Sequence, residues 1–277
     1  MKRKIKIIGI VFKTALVIVC VLAVLLITAN TNQLFAQSNP RGKLILTVKE
    51  GAHWQHSFRI FGIIKVTNSP QMAFWLEDSS GNYQTTIYVT HRTATQDWRS
   101  SPGEKKEDIR RPSALPIWLH QHQQEGSMAE ATCAGCHDLH KAKDKNIAEN
   151  SPINAITGAT PKTGFTREWT IPSEIKPGKY VIKAEINHSK DFNAVYKEDA
   201  AETDPNYSGG KMGSGQPSVL WQGEVTIGGQ ATSVHLKKVG HGQSAGKDGK
   251  MNSDLSTLDT ALDILEAIQV KYLPAQK

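Results

Sequence analysis

Cysteine is scarce. Only three occur in 277 residues, and Cys20 falls in an N-terminal apolar run, so the rest of the chain keeps Cys133 and Cys136 alone and a wider disulfide framework is excluded. Acidic residues are missing from the first 49 positions, where Lys2, Arg3, Lys4, Lys6 and Lys13 stand unopposed. Setting those five aside leaves 28 basic against 26 acidic residues, a net charge of +2 in place of +7. The basic excess that would suggest nucleic acid therefore belongs to the leader, and nucleic acid is not an expected partner. Aromatics make up 7% of the chain. Trp54, Trp75, Trp98, Trp118, Trp169 and Trp221 are scattered, several in or beside expected strands, and read as core and edge residues and not as a sugar-binding platform. Hydrolysis is not the expected chemistry, because there is no HExxH zinc-protease motif and no acid, base and nucleophile set stands out. An electron carrier or accessory protein is expected in place of a substrate-turning enzyme. With 39% hydrophobic and 21% charged residues, the chain fits one large or two small globular domains and not a disordered protein.

The N-terminus reads MKRKIK and continues as an apolar run over residues 7–27, interrupted by Gly9, Lys13, Thr14 and Cys20. This is the pattern of an export segment, residues 1–36, with Leu34-Phe35-Ala36 as a cleavage site before Gln37. The run also matches the roughly 20 residues of a membrane-spanning helix, so an uncleaved signal anchor is the alternative. Basic residues before the run place the remainder on the far side of the membrane. The expected location is periplasmic or otherwise extracytoplasmic, with membrane contact only through the N-terminal segment if it stays uncleaved.

From residue 43 onward the apolar pattern has period two, in short runs separated by Gly, Pro, Asn and Ser. Strands are predicted over residues 43–49, 72–76, 84–90, 167–171, 179–187, 219–227 and 233–239. Seven strands suit an all-β, immunoglobulin-like sandwich spanning residues 37–240. Ser79-Ser80-Gly81-Asn82 and Lys176-Pro177-Gly178-Lys179 are turn sequences, the second a type II turn with Gly178 at positive φ, and Gly228-Gly229 joins the last two strands. Two polar stretches, 120–151 and 192–216, read as long loops, which are functional or disordered when they occur in compact domains. Residues 241–252 read as a Gly-, Lys- and Ser-rich linker. Leu255, Leu258, Leu262 and Leu265 then repeat at helical spacing after a Ser253 cap, so an amphipathic helix over 253–272, packed on the sandwich, is predicted.

Within the first long loop stands Cys133-Ala134-Gly135-Cys136-His137, the CxxCH spacing of covalent c-type haem attachment. Cys133 and Cys136 would form thioethers with the haem vinyl groups and His137 would ligate the iron. The expected cofactor is one haem c. The second axial ligand would come from the same stretch: His120 or His122 first, ahead of Met128 and of His140, which would share a helix face with His137. A rival reading is a redox-active disulfide, although the surroundings lack thioredoxin-like alternation of strands and helices. Another is a zinc clip in which both cysteines and His137 are joined by His120, His122 or His140. Few apolar residues flank the motif, so a haem held there would be exposed and suited to electron exchange with a partner protein.

Residues 111–118 (RPSALPIW), 155–162 (AITGATPK) and 215–218 (GQPS) together resemble a family of predicted periplasmic β-sandwich proteins of unknown function, over roughly residues 43–240. Members often occur with PepSY-type membrane proteins and flavin transferases. The resemblance implies a redox setting and a membrane PepSY-type or flavin-bearing partner, and the CxxCH loop is then an insertion. Asn154-Ala155-Ile156-Thr157-Gly158-Ala159-Thr160 is similar to the motif whose final Thr a flavin transferase esterifies with FMN, which would make Thr160 an acceptor, but Asn154 stands where that motif has Asp. A turn feeding the next strand accounts for the same string, and FMN is not the expected cofactor. His188, Asp191, Asn193, Glu198, Asp199, Glu202 and Asp204 bring oxygen donors close together without an EF-hand spacing, and read as a solvated acidic loop.

Overall fold

A computed structural model describes residues 41–60, 63–95, 98, 111–125, 156–158, 161–210 and 213–275. The N-terminal segment expected to direct export, the CxxCH motif and Thr160 lie outside them. The elements are β1 (Lys43–Glu50), β2 (His56–Ile60), β3 (Ile64–Asn68), β4 (Gln71–Asp78), β5 (Tyr83–Thr90), α1 (His91–Thr95), α2 (Pro116–Glu125), β6 (Ile156–Gly158), β7 (Phe165–Thr170), β8 (Gly178–Asn187), β9 (Val219–Ile227), β10 (Thr232–His235), β11 (Lys237–His241) and β12 (Leu265–Leu273), the last preceded by a 3-10 turn at Thr260–Asp263.

The chain is all-β in its main architecture. One sheet has the order β10-β12-β1-β7 and the other β11-β9-β8-β4-β5-β6, while β2 and β3 form a hairpin of their own. Pairing is antiparallel except for the short β6, which runs parallel to β5. Alternation explains the layering: in β1 Leu44, Leu46 and Val48 are buried while Lys43, Ile45 and Thr47 face outward. The buried set meets Met72, Phe74 and Leu76 of β4 and Ile182, Ala184 and Ile186 of β8 in one core between the sheets. A second, smaller core lies on the outer face of the six-stranded sheet, where Ala73, Trp75, Val89 and Leu220 pack against Leu115, Ile117, Trp118 and Leu119 of the α2 region.

All seven predicted strands are present in whole or part, with corrections. The segment 233–239 is two strands in different sheets: β10 pairs with β12, the chain crosses at the buried Leu236, and β11 pairs with β9. Gly81 takes the positive φ of the first turn, +84°, but Gly178 does not take one and opens β8 instead. The positive φ falls on Gly228, +86°, where a Cβ would lie 2.6 Å from Cβ of Pro177. Thr157 and Gly158, expected in a turn, lie in β6.

The predicted C-terminal helix over 253–272 is not formed. Leu258 and Leu265 are buried and Leu255 and Leu262 pack beside them, as the leucine spacing requires, but they do so through turns, the 3-10 turn and β12. Asp259, not Ser253, caps that turn by accepting from the Thr260 N–H. Beyond Ile264 the pattern changes to period two, with Ile268, Val270 and Tyr272 inward, and β12 fills the slot between β10 and β1. Tertiary pairing on both edges overrides a short helical spacing. Residues 241–252 are likewise not a free linker: His241 and Asn252 exchange backbone hydrogen bonds of 2.8 and 2.9 Å, and a Cβ on Gly246 would lie 2.3 Å from the Ser113 nitrogen. The segment is a strap pressed on the α2 region. The acidic loop after Asn187 is folded by side-chain caps, Asn193 Oδ1 accepting from the Val195 and Tyr196 N–H groups.

Because β12 is bonded on both edges, truncating its inward side chains acts on the main core. Ile268→Ala is expected to cost about 2–5 kcal/mol in urea unfolding, and Leu255→Ala, only partly buried, under about half as much. Equal small costs would mean that the tail is not integral to the sandwich.

Candidate functional site

Helix α2 starts at Pro116, whose missing N–H suits the first helical position. Its free N–H groups are met by Glu185, projecting from β8. Glu185 Oε1 accepts from the Ile117 N–H at 3.2 Å, Oε2 from the Trp118 N–H at 2.7 Å, and Oε1 also from the Ser218 hydroxyl at 2.5 Å. The carboxyl is fully buried, which pushes it up to about 7, while Ser218 and the helix N–H groups pull the other way. Next to it on β8, Asn187 Nδ2 donates to the Ser113 carbonyl at 3.1 Å, and the Ser113 and Ser214 hydroxyls lie 3.3 Å apart. Residues 111–118 and 215–218 are thereby drawn together by two neighbouring positions of one strand.

The helix turns two histidines in different directions, as a two-residue offset of about 200° requires. His120 is 9% exposed and sits under the strap: its Nε2 is 3.4 Å from the Gly246 carbonyl, and a Cβ on Gly249 would lie 2.5 Å from its Cβ. His122 lies toward the start of β5. Its ring stacks on Trp118 with a 5.2 Å centroid separation and a 5° interplanar angle, and its Nδ1 is 3.2 Å from the Tyr83 hydroxyl. Trp118 Nε1 donates to Thr86 Oγ1 at 3.0 Å, and Tyr83 Oη and Thr86 Oγ1 are 2.5 Å apart. When Tyr83 donates to Thr86, its oxygen accepts from His122 Nδ1–H and Nε2 keeps a lone pair. Burial lowers the His122 pKa, which favours the neutral ring that metals bind. Of the two histidines expected near a haem, His122 is half-buried at the end of α2 that leads toward the CxxCH segment, and His120 is enclosed. Cys133, Cys136, His137, Met128, His140 and Thr160 lie outside the described residues. Among the described residues, no group of three or more His, Cys, Asp or Glu side chains is placed to hold a metal, and no helix is long and apolar enough to cross a membrane.

Sequence reading missed one pattern. Gly242-Gln243-Ser244-Ala245-Gly246 has the GxSxG spacing of a nucleophile elbow and follows strand β11, and its string of letters was enough to find it. Its geometry is not that of a nucleophile. No helix follows the turn, Ser244 Oγ donates to the Tyr207 carbonyl at 3.1 Å, and His241 Nε2 has no hydrogen-bond partner, so no base is paired with the hydroxyl. His241, Gln243 and Ser244 line a cleft of about 250 Å³ with Tyr196, Pro205 and Asp248.

Another polar cluster joins β2 to the end of β8. His188 is 2% exposed and its Nε2 donates to the His53 carbonyl at 2.9 Å, leaving the buried Nδ1 without a partner. The His56 ring lies 5.6 Å away, and its Nδ1 is 3.9 Å from the Asp191 carboxylate, which accepts from Thr260 Oγ1 at 2.7 Å. The setting points to structure, since among the described residues these side chains form no group of three placed to hold a metal.

No family model, curated protein or solved structure matches the chain.

Burial lowers the His188 pKa from 6.5 to about 4. The unfolded chain takes up this proton first as pH falls, so the stability contributed by the neutral ring is complete above about 6.5 and lost toward about 4, in total about 3 kcal/mol. Asp191, whose carboxyl is pushed up by burial, acts in the opposite sense, so the variant and not the bare profile isolates the histidine. In urea unfolding from pH 7 to 4, His188→Gln is expected to flatten the loss of stability seen in the wild type. An unchanged slope would show that His188 is not buried neutral.

Proposed function

We propose that this protein is an extracytoplasmic monohaem electron-transfer protein built on an immunoglobulin-like sandwich. In this reading Cys133 and Cys136 would attach haem c through thioethers, and His137 and His122 would be the residues that hold its iron. The observation that carries the reading is the CxxCH sequence, whose two cysteines are the only ones outside the apolar run 7–27, a run that reads as an export segment. The donor set fits: burial lowers the His122 pKa, and the imidazole is held by Trp118 stacking and by the Tyr83 hydroxyl, the kind of support that orients metal-binding histidines. When bound, the haem supplies a one-electron couple. When Tyr83 donates to Thr86, its oxygen accepts from His122 Nδ1–H, and Nε2 keeps its lone pair on a ring whose plane Trp118 sets. His120, enclosed by the strap, keeps α2 seated. The partner is a redox protein, a membrane PepSY-type or flavin-bearing protein being the class implied by the resemblance, and the place is the periplasm or its equivalent. Electron carriage, not turnover of a substrate, is the activity.

A second reading is favoured by a separate observation. The segments that carry the family resemblance, 111–118 and 215–218, meet at Glu185, which accepts from the Trp118 N–H and the Ser218 hydroxyl, with Asn187 donating to the Ser113 carbonyl beside it, a buried structural cluster. A non-catalytic accessory sandwich of a membrane redox system, with Cys133 and Cys136 as a disulfide or zinc clip, would use that framework equally well.

A haem stain after denaturing electrophoresis, on protein exported from a host with haem-attachment machinery, tests the choice. A band in the wild type that is lost in Cys133→Ala/Cys136→Ala is expected. With haem in place, His122→Ala is expected to convert a low-spin spectrum to a high-spin one, and His120→Ala to leave it low-spin. A colourless protein with stoichiometric zinc, from cells that mature another cytochrome, overturns the haem reading and supports the clip.

A further inference from the structure

The β2–β3 hairpin stands apart from both cores as a two-stranded sheet of its own. Two of the three exposed large hydrophobic residues among those described lie at its turn end, Ile63 at 79% and Ile64 at 56% exposure. One step back, Arg59 and Lys65 face each other across the strands. Both are exposed, and neither makes an ion pair among the described residues. Like charges directly opposite destabilise a strand pair, and exposed apolar side chains gain nothing from water. A third cation, Lys190, stands over the ring of Phe58 at 5.1 Å, and Lys190 takes a positive φ of 63° to reach that position. The hairpin therefore joins an apolar end to a collar of three cations that no carboxylate among the described residues pairs.

We infer that this hairpin is an interfacial anchor that inserts its isoleucine end into a lipid bilayer carrying anionic headgroups. One kind of surface relieves both unfavourable features: an acyl layer covers Ile63 and Ile64, and the phosphate layer just above it neutralises Arg59 and Lys65. The depths agree. A strand rises about 3.4 Å per residue, so the stems of Lys65 and Arg59 begin only a few ångströms behind the apolar end, and long basic side chains extend toward headgroups while their methylenes remain in the apolar layer. Apolar faces of interfacial elements settle about 5–10 Å into the headgroup and acyl boundary. The contact is independent of the N-terminal segment and of whatever the CxxCH motif binds.

Tryptophan at the hairpin end reports the contact locally, so the full chain can be used whether or not its leader also enters the bilayer. Ile63→Trp is compared with the wild type in vesicles of phosphatidylcholine containing about 30% phosphatidylglycerol. The added emission is expected to shift to the blue and to be quenched by nitroxide-labelled lipid, less so in about 0.5 M NaCl. Placing Arg59→Glu/Lys65→Glu in the same background is expected to weaken the effect at least about tenfold. Both variants should keep the wild-type unfolding midpoint, since the hairpin belongs to neither core. Three results would overturn the inference: no shift or quenching, equal quenching in pure phosphatidylcholine, or a blue shift that grows with protein concentration in the absence of lipid, which would make the occupant a second copy of the chain.

Discussion

A carboxylate with no access to water organises this molecule. Glu185 lies on β8, a central strand of the larger sheet, and it is stable there only because three donors converge on it: two N–H groups from the first turn of α2 and the Ser218 hydroxyl. The exchange is reciprocal, because those helix N–H groups have no intrahelical partner. Removing the carboxylate would leave the start of α2 unmet in an apolar layer, and moving the helix would leave the carboxylate unmet. Gly242 closes the arrangement from above, since a Cβ there would lie 2.6 Å from the Ser218 hydroxyl and 3.1 Å from the carboxylate. Sheet, helix and strap are thus held in one relative position by directional bonds and not by apolar packing alone.

That position decides what the far end of α2 can present. With the helix start fixed, Ile117, Trp118 and Leu119 fill the second core, His120 turns under the strap, and His122 comes to rest against Trp118 and Tyr83. Thr86 joins the pair by accepting from the indole and contacting the tyrosine hydroxyl. The imidazole therefore loses little conformational freedom on meeting a further partner.

Strand β1 was legible because its inward residues meet one core and its other face is not buried. Leu44, Leu46 and Val48 could be read without knowing what they touch. The errors occur where a residue's role depends on a distant segment. Leu255, Leu258, Leu262 and Leu265 have helical spacing and do face the core, yet β1 and β10 both need a strand between them, and no local signal carries that demand. Gly246 and Gly249 look like linker glycines by composition, whereas each permits close approach, to Ser113 and His120 respectively. The end of β11 has the letters of a nucleophile elbow and the geometry of a packed turn, because no helix follows it to complete the elbow.

The candidate site was legible in part for the same reason. Its cysteines and histidines could be grouped by their closeness in sequence, but choosing between His120 and His122 needed β5 and the strap, which come from 40 residues before and more than 100 after. Tyr83 and Thr86 carried no signal as site residues, since in a strand they read as ordinary β-formers. In the fold they limit the proton arrangements open to His122. One hydroxyl lies between imidazole and threonine, so the side of the ring that donates is set by which way Tyr83 donates. Trp118 acts twice in this arrangement, donating to Thr86 Oγ1 from its indole edge while its face fixes the imidazole plane. A substitution in β5 can therefore change the tautomer of a histidine on α2 without touching the histidine, which makes Tyr83 and Thr86 positioning residues of any ligand bound at His122.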